Sequence, residues 1–170
     1  MKNLLIMLLW ISGLYAQDNE MKTVDYVDIE RFMGKWFVTA IVPNMIENGA
    51  SNASDIYELN PDGTIAITYD AIKDGKKRQI KQKGTIINKE TNADWSIQMK
   101  KPYVPFLKFP FKIILIDPDY KYMAVGYPEN KMGWIMCRDT NMDESLYQNI
   151  LLELEAFGYS KDQFIKILHN

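Results

Sequence analysis

Short runs of alternating apolar and polar residues recur along most of the chain, separated by turn-forming residues at regular intervals. The runs are rich in β-branched and aromatic residues, which favour strands. The segment NPDG at 60–63 is a strong turn, because proline presets φ and glycine accepts positive φ. The pattern predicts eight strands, each joined to the next by a short link: 36–42, 54–59, 64–72, 78–88, 94–100, 111–116, 121–127 and 132–138.

Near the end of the chain the apolar spacing changes to that of a helix. Thr140 and Asp143 stand at capping-box spacing before this stretch, and Gly158 fits a position just past its end. A last apolar segment at 164–168 is interpreted as a short extra strand. The pattern therefore predicts one C-terminal helix with a single apolar stripe: Leu146, Ile150, Leu154 and Phe157.

Eight consecutive antiparallel strands are the right number to close a barrel around one small ligand. A two-layer sandwich is the competing fold, but it would need a long Greek-key connection that the strand spacing does not provide. We therefore expect an all-β fold, an eight-stranded antiparallel up-and-down β-barrel with one C-terminal α-helix packed outside.

The first residues have the pattern of a signal peptide. A cationic start precedes an apolar run at 4–14, and Ala16 supplies a small residue for cleavage. A buried core helix is the alternative. Gln17 stands where a lipoprotein would carry its acylated cysteine. We expect a signal peptide at 1–16, an extension at 17–27 and a barrel domain at 28–170. The protein would then be exported, periplasmic or secreted, without a lipoprotein cysteine.

Composition narrows the function classes. The 170 residues are 47% hydrophobic and 25% charged, with a formal net charge of −2, so no basic field attracts nucleic acid. One cysteine excludes an internal disulfide, and a single histidine leaves little material for a metal site or a catalytic triad. We expect no metal, no cofactor, no catalytic residues and no enzymatic activity.

Three short motifs carry a resemblance to a known family. Gly34-Lys35-Trp36 resembles the G-x-W signature of the lipocalins, and the segment DPDY at 117–120 resembles their D-x-x-Y turn. Arg138 matches their third motif and is followed by the expected helix. Within the family, the chain is most similar to the bacterial lipocalins and apolipoprotein D. The resemblance implies structural roles for five residues: Gly34, Trp36, Asp117, Tyr120 and Arg138.

Barrel geometry explains why these motifs occur together. With eight alternating strands, the start of the first strand and the end of the last lie at the same end of the barrel. Arg138 can therefore lie over Trp36 in a cation–π contact worth roughly 0.5–2 kcal/mol. We expect this end to be closed and the two residues to be structural.

Alternation of side chains along each strand, together with the family register, predicts which residues face the interior. Small residues such as Ala40 and Ala124 would leave room for a ligand, whereas a filled core is the alternative. A slip of one residue would invert a whole strand. The expected cavity residues are Val38, Ala40, Tyr57, Ile67, Tyr69, Ile97, Met99, Leu115, Tyr122, Ala124, Trp134 and Met136.

The segment at 101–110 is unusually apolar for the exposed loop that we expect there, and it also carries cations. Such a rim suits an amphiphile with an anionic head, an acidic membrane surface or a second subunit in a homodimer. A loop packed on itself is the alternative. The expected mouth residues are Lys101, Phe106, Lys108 and Phe109.

These features favour binding, storage or transport of a small hydrophobic ligand, a fatty acid or a lysophospholipid, in the cell envelope or outside the cell. A barrel enzyme using Cys137, a haem protein using His169 and a ligand-free interaction module are the alternatives. Alternation turns Cys137 outward beneath the helix, where a buried thiol is inert. His169 is next to last in the chain, where residues fray.

Overall fold

The computed structural model describes residues 21–170, so the expected signal peptide at 1–16 lies outside the described residues. Within this part of the chain, nine strands and two α-helices form. In chain order they are α1 (Ile29–Phe32), β1 (Gly34–Ile41), β2 (Ala50–Leu59), β3 (Ile65–Lys73), β4 (Lys76–Ile86), β5 (Asp94–Lys101), β6 (Tyr103–Ile116), β7 (Tyr122–Gly126), β8 (Gly133–Cys137), α2 (Glu144–Glu155) and β9 (Ile165–Lys166).

The first eight strands form a closed antiparallel barrel. Each strand from β1 to β8 pairs with the next, and β8 returns to pair with β1. The first four residues of β1, Gly34–Phe37, pair with β2. Ala40 and Ile41, near the end of β1, pair with the short β9. The predicted up-and-down barrel with an outer helix is confirmed.

Hairpin turns set the register of the long strands. Between β3 and β4, Asp74 and Gly75 have φ of 53° and 69°. Two central residues with positive φ form the hairpin turn whose twist matches that of the flanking strands. Lys73 and Lys76 therefore pair directly across the hairpin.

The segment that the sequence analysis treats as a loop at 101–110 is mostly strand. β6 begins at Tyr103, and its first half continues the ladder with β5 through the pairs Gln98–Lys108 and Ile97–Phe109. The aromatic and β-branched residues of this segment favour strand pairing, which overrides its three prolines. The expected loop is therefore a long hairpin that projects from the barrel.

A short helix, which the sequence analysis does not predict, closes one end of the barrel. The Asp28 side chain caps α1 by accepting from the backbone N–H groups of Glu30 and Arg31 at 3.1 and 3.2 Å. Phe32 is fully buried, and its ring lies 5.5 Å from Trp36 and 5.0 Å from Trp95. The rings of Phe32, Trp36 and Trp95 therefore fill this end of the barrel, and we call them the aromatic plug.

Arg138 holds this plug in place. Its guanidinium carbon lies 3.8 Å from the centre of the Trp36 ring, which gives the predicted cation–π contact. A Cβ at Gly34 would lie 3.4 Å from Nη1 of Arg138, and Gly34 has a φ of +95° that other residues rarely adopt. The guanidinium also donates to five backbone carbonyls: those of Arg31, Phe32, Met33, Lys35 and Tyr120.

The D-x-x-Y turn joins the same end of the barrel. The Asp117 carboxylate accepts from the backbone N–H groups of Asp119 and Lys121 at 3.0 and 3.1 Å. The Tyr120 hydroxyl accepts from the backbone N–H of Asp28 at 2.7 Å. These bonds connect the β6–β7 turn to the start of α1.

Helix α2 packs on the outside of the barrel, but its buried face differs from the expected stripe. Asp143, rather than Thr140, is the N-cap, since its side chain accepts from Ser145 and Leu146. Leu146 and Phe157 are only partly buried. Ile150 and Leu154 form the buried face together with Tyr147 and Leu151. We call the buried residues between α2 and the barrel the helix-side cluster, which includes Ala40, Ile114, Ala124 and Ile135.

Candidate functional site

A cavity of about 110 Å³ lies inside the barrel, between the β1–β2 loop and the inner faces of the strands. The wall formed by β5 and β6 is apolar, whereas the wall formed by the β1–β2 loop, β2, β3 and β4 carries polar side chains. The lining residues are Asn44, Ile46, Glu47, Asp55, Tyr57, Ile67, Tyr69, Ile80, Gln82, Ile97, Met99, Phe109, Pro110, Phe111, Met132, Trp134 and Met136.

The structure brings most of the expected cavity residues together. Val38 is fully buried in the barrel interior, in the same core cluster as Trp36, but it does not line the cavity. The others on β2, β3, β5 and β8 lie on the lining itself: Tyr57, Ile67, Tyr69, Ile97, Met99, Trp134 and Met136.

Four expected cavity residues lie elsewhere. Ala40 and Ala124 belong to the helix-side cluster, and Leu115 and Tyr122 pack against it. The placement of all four in the cavity is wrong. Irregular pairing between positions 38 and 40 of β1, and between 113 and 115 of β6, inverts the alternation that follows.

On β7 the expected alternation is off by one residue along the whole strand. Met123 and Val125 join the interior cluster that contains Trp36, whereas the expected inward residues Tyr122 and Ala124 face α2. This is the inversion that a slip of one position produces in a strand with two buried faces.

The mouth residues divide between the cavity and its rim. Phe109 lines the cavity, whereas Lys101 and Lys108 are exposed and Phe106 is 96% exposed. Met45, on the neighbouring β1–β2 loop, is 95% exposed. We call these exposed residues the mouth rim, together with three neighbours on the same hairpin and loop: Tyr103, Leu107 and Ile46.

Glu47 is a buried acid that the sequence analysis does not select. It lies in the β1–β2 loop and is only 6% exposed. One carboxylate oxygen, Oε2, accepts from Nδ2 of Asn44 and from Nε1 of Trp134, each at 2.7 Å. Burial raises the pKa of Glu47, although these two bonds and the charge of Lys73 oppose the increase.

The β1–β2 loop is held over the cavity by a lysine. Lys73 Nζ donates to the backbone carbonyls of Met45 and Ile46 at 3.1 and 3.0 Å. The Asn44 side chain accepts from the backbone N–H groups of Ile46 and Glu47. These local bonds direct the Glu47 side chain inward.

Asp55 is a second acid in the cavity wall. Its partial exposure is to the cavity that it lines, and it accepts no hydrogen bond from the described residues. Burial raises the pKa of Asp55 well above its usual value, and the charges of Glu47 and Asp70 raise it further. The sequence contains a signal for this residue, because Asp55 stands two positions from the inward-facing Tyr57.

Tyr69 is directly opposite Asp55 in the β2–β3 ladder, so their side chains share the inner face. The residue is 5% exposed, and its hydroxyl oxygen is buried without a hydrogen-bond partner. Burial, followed by the charges of Glu47 and Asp55, raises the pKa of Tyr69.

The residues of the alternative functions lie outside the cavity. Cys137 is buried, and burial raises the pKa of its thiol, which lowers the thiolate fraction. Nε2 of His169 lies 2.9 Å from the carbonyl oxygen of Val38, and its ring packs on Phe37. Within residues 21–170, no three histidine, cysteine, aspartate or glutamate side chains are placed to hold a metal ion. No helix in that range is long and apolar enough to cross a membrane.

A closed eight-stranded barrel with one plugged end and an interior cavity defines the class of barrels that enclose one small ligand. A family model described as "Lipocalin-like domain" matches residues 27–169. The chain belongs to the lipocalin family, as the three sequence motifs predict, and lipocalins are in general binding proteins for small hydrophobic ligands rather than enzymes.

Individual relatives agree with this assignment. Temperature-induced lipocalin-1 of Arabidopsis thaliana is 30% identical over 152 residues, which cover 85% of this chain and 80% of the relative. The outer membrane lipoprotein Blc of Escherichia coli K12 is 22% identical, covering 84% of this chain and 79% of Blc. The structure of insecticyanin from the tobacco hornworm Manduca sexta superposes with a TM-score of 0.71 at 17% identity, covering 87% and 84% of the two chains, which shows a shared fold.

Proposed function

We propose that this protein binds and carries one single-chain amphiphile, with the hydrocarbon chain inside the barrel. The observation that supports the proposal is an interior cavity whose β5–β6 wall is apolar and which adjoins an apolar rim. Fatty acids and lysophospholipids, the ligands expected from the sequence, each supply one such chain.

The size of the cavity favours a narrow ligand. Pockets for drug-sized molecules begin at roughly 300 Å³, whereas this cavity measures about 110 Å³. A ring system of several fused rings would not fit. Met99, Met132 and Met136 line the cavity, and their flexible side chains can move aside for part of a chain. The rest of a longer chain would extend through the mouth.

Burial of the chain supplies the affinity. Each buried methylene contributes about 0.8 kcal/mol, so eight of them give roughly 6 kcal/mol before the cost of association. No group at the cavity has to react with the ligand. Affinity should therefore depend on chain length until the cavity is full.

We further propose that the mouth rim contacts an anionic lipid surface. Lys101 and Lys108 flank the exposed Phe106, and Lys101 is paired with Lys81 across the β4–β5 ladder. Cations beside exposed apolar side chains complement anionic head groups below which acyl chains lie. Export of the protein, periplasmic or secreted, would place the rim beside such a surface.

Titration of delipidated protein with decanol and with lysophosphatidylcholine tests the carrier function. We expect saturation at one ligand per chain and a change in fluorescence, because Trp134 lines the cavity. Trp134→Phe should still bind, measured by calorimetry, but should lose most of the optical signal. If neither ligand saturates a protein shown to be folded, the carrier function is refuted and the interaction module remains.

A further inference from the structure

Three polar side chains point into one cavity that contains few groups to pair with them. Glu47 uses only Oε2 in hydrogen bonds, which leaves Oε1 without a partner among the described residues. Asp55 accepts no hydrogen bond from those residues, and the buried hydroxyl of Tyr69 has no partner. Buried polar groups are nearly always hydrogen-bonded in folded proteins, so the fully buried Tyr69 hydroxyl in the cavity wall, beside two carboxylates with unused acceptor positions, is suited to bind a polar group of a ligand.

The three groups lie close enough to influence one another. Asp55 and Tyr69 are opposite each other on β2 and β3, and the loop that carries Glu47 is held above them by Lys73. The charge of Glu47 acts on both Asp55 and Tyr69. They therefore form one polar site on one wall of the cavity.

Among the described residues, no cation forms an ion pair with Glu47 or Asp55, although the charge of Lys73 acts on Glu47 from the edge of the site. Among the described residues that line the cavity, none is lysine or arginine. Lys73 and Arg138 act electrostatically on residues of the lining, but Lys73 donates its hydrogen bonds to two loop carbonyls and Arg138 donates to carbonyls at the closed end. Burial raises the pKa of both Glu47 and Asp55; the charge of Lys73 opposes the increase at Glu47, whereas no cation opposes it at Asp55.

The unused hydrogen-bond acceptors of these three side chains indicate which head group of a ligand they would bind. Carboxylates accept hydrogen bonds and donate none, and a tyrosine hydroxyl can also accept. An ammonium group has three donors and no acceptor, so it can bond to Glu47, Asp55 and Tyr69 at once. Hydrogen bonds between ions of opposite charge are also stronger than neutral ones. A fatty-acid carboxylate would instead be repelled from this wall.

We propose that the ligand is a hydrophobic amine, bound as its ammonium ion by Glu47, Asp55 and Tyr69 with its hydrocarbon part against Ile97 and Met99. This inference rests on the proposed carrier function and names the head group of the ligand. The mouth rim is basic, so the preference for an amine comes from the enclosed site rather than from attraction at the entrance.

A series of ligands with one chain and three head groups tests the inference. Decylamine, decanol and decanoate are titrated into the delipidated full-length protein by calorimetry near neutral pH. We expect decylamine to bind about 10- to 100-fold more tightly than decanol, the range for a charge-assisted hydrogen bond, and decanoate to bind most weakly.

Matched variants locate the preference. Asp55→Asn should remove the preference, so that decylamine and decanol bind this variant about equally, and Glu47→Gln should act in the same direction. Asp70→Asn is the control, because this substitution also removes one negative charge but at a residue that does not line the cavity. The Asp70 carboxylate instead accepts a hydrogen bond from Gln79. Circular dichroism establishes that each variant is folded.

The outcomes separate the two proposals. If decanol binds and decylamine binds no more tightly, the amine inference is overturned and the carrier function stands. Tightest binding of decanoate would show that the buried acids are protonated donors, which also overturns it. Equal losses in Asp55→Asn and Asp70→Asn would mean that only the net charge matters. If none of the three ligands binds the folded protein, the carrier function itself fails.

Discussion

Among single residues, Asp55 is one whose ionisation is unfavourable in the ligand-free folded protein. The folded pKa lies well above the usual value of 3.8, with burial as the main cause, so between these two pKa values the folded state holds a proton that the unfolded state has released. The stabilising effect of that proton is complete below the unfolded pKa and is lost as pH rises through the folded pKa. The penalty for ionising Asp55 in the folded state is therefore larger at neutral pH than near the unfolded value of 3.8.

Asp55→Asn should consequently raise the free energy of unfolding of the ligand-free protein by about 1–3 kcal/mol at about pH 7. The advantage should shrink as the pH falls toward about 4, since the unfolded carboxyl then begins to take up the proton that the folded one already holds. Urea unfolding at the two pH values measures it. An equal effect at both pH values would contradict a raised pKa of the buried Asp55.

Arg138 is a structural residue whose contribution depends on the shape of its guanidinium. Lysine cannot reach five carbonyls or stack as a plane on Trp36. We expect Arg138→Lys to cost about 2 kcal/mol of stability, because several backbone acceptors, three of them in part-buried bonds, lose charged donors. Decanol affinity should not change, since Arg138 does not line the cavity.

Arg31→Lys is the matched control for this substitution. Arg31 also lies over an aromatic ring, at 4.4 Å from Tyr120, but it is exposed and donates to one carbonyl, that of Pro118. Its replacement should cost about 1 kcal/mol or less. If the two variants lose the same stability in urea unfolding, the special role of Arg138 at the closed end is wrong.

At the scale of elements, the sequence predicted the order of strands better than the direction of their side chains. Hydrophobic alternation identifies a strand, but it cannot identify the inward face when both faces are buried. β7 is buried on one side by the interior and on the other by α2, so Met123 and Ala124 are equally apolar and equally covered. On β1 and β6, irregular pairing changes the face within a strand, and no residue pattern marks it.

The polar site shows a different limit of sequence reasoning. Asp55 follows the alternation that places Tyr57 inside, so the pattern predicts its direction even though an acid is not expected in a core. Glu47 has no such signal. Its position depends on loop bonds from Asn44 and Lys73 and on contact with Trp134, which is distant in the sequence.

Two tryptophan substitutions distinguish the inner face from the helix-facing one. Met99→Trp adds a large ring to the cavity lining of β5, so we expect it to weaken decanol binding about 10-fold or more at near-normal stability. Ala124→Trp adds the same ring beneath α2, where overpacking should cost about 1–3 kcal/mol or more. Calorimetry and urea unfolding of both variants measure the two effects. If Ala124→Trp lost binding at full stability, Ala124 would face the cavity, as the alternation in the sequence predicts.

In the molecule as a whole, positive charges lie at the mouth of the barrel and acidic side chains lie inside it. The chain has a formal net charge of −2, yet its mouth rim carries Lys101 and Lys108 while its cavity carries Glu47 and Asp55. The outer charges are hydrated and screened by salt, whereas the inner ones are not. Salt should therefore weaken interactions of the rim with a surface much more than the preference of the cavity for a head group.

The rim predicts selective binding to anionic vesicles. We expect the protein to sediment with vesicles containing phosphatidylserine and not with those of phosphatidylcholine alone, because each lysine near an anionic surface contributes about 1 kcal/mol. Raising the salt from about 0.1 M to about 1 M shortens the screening length from roughly 10 Å to 3 Å and should release most of the protein.

Phe106→Asp should abolish binding to these vesicles, since Phe106 is 96% exposed at the tip of the rim. Leu152→Asp is the control, because Leu152 is 56% exposed on α2, away from the mouth. Equal losses in the two variants, or binding that ignores the charge of the lipid, would show that the rim does not face a membrane.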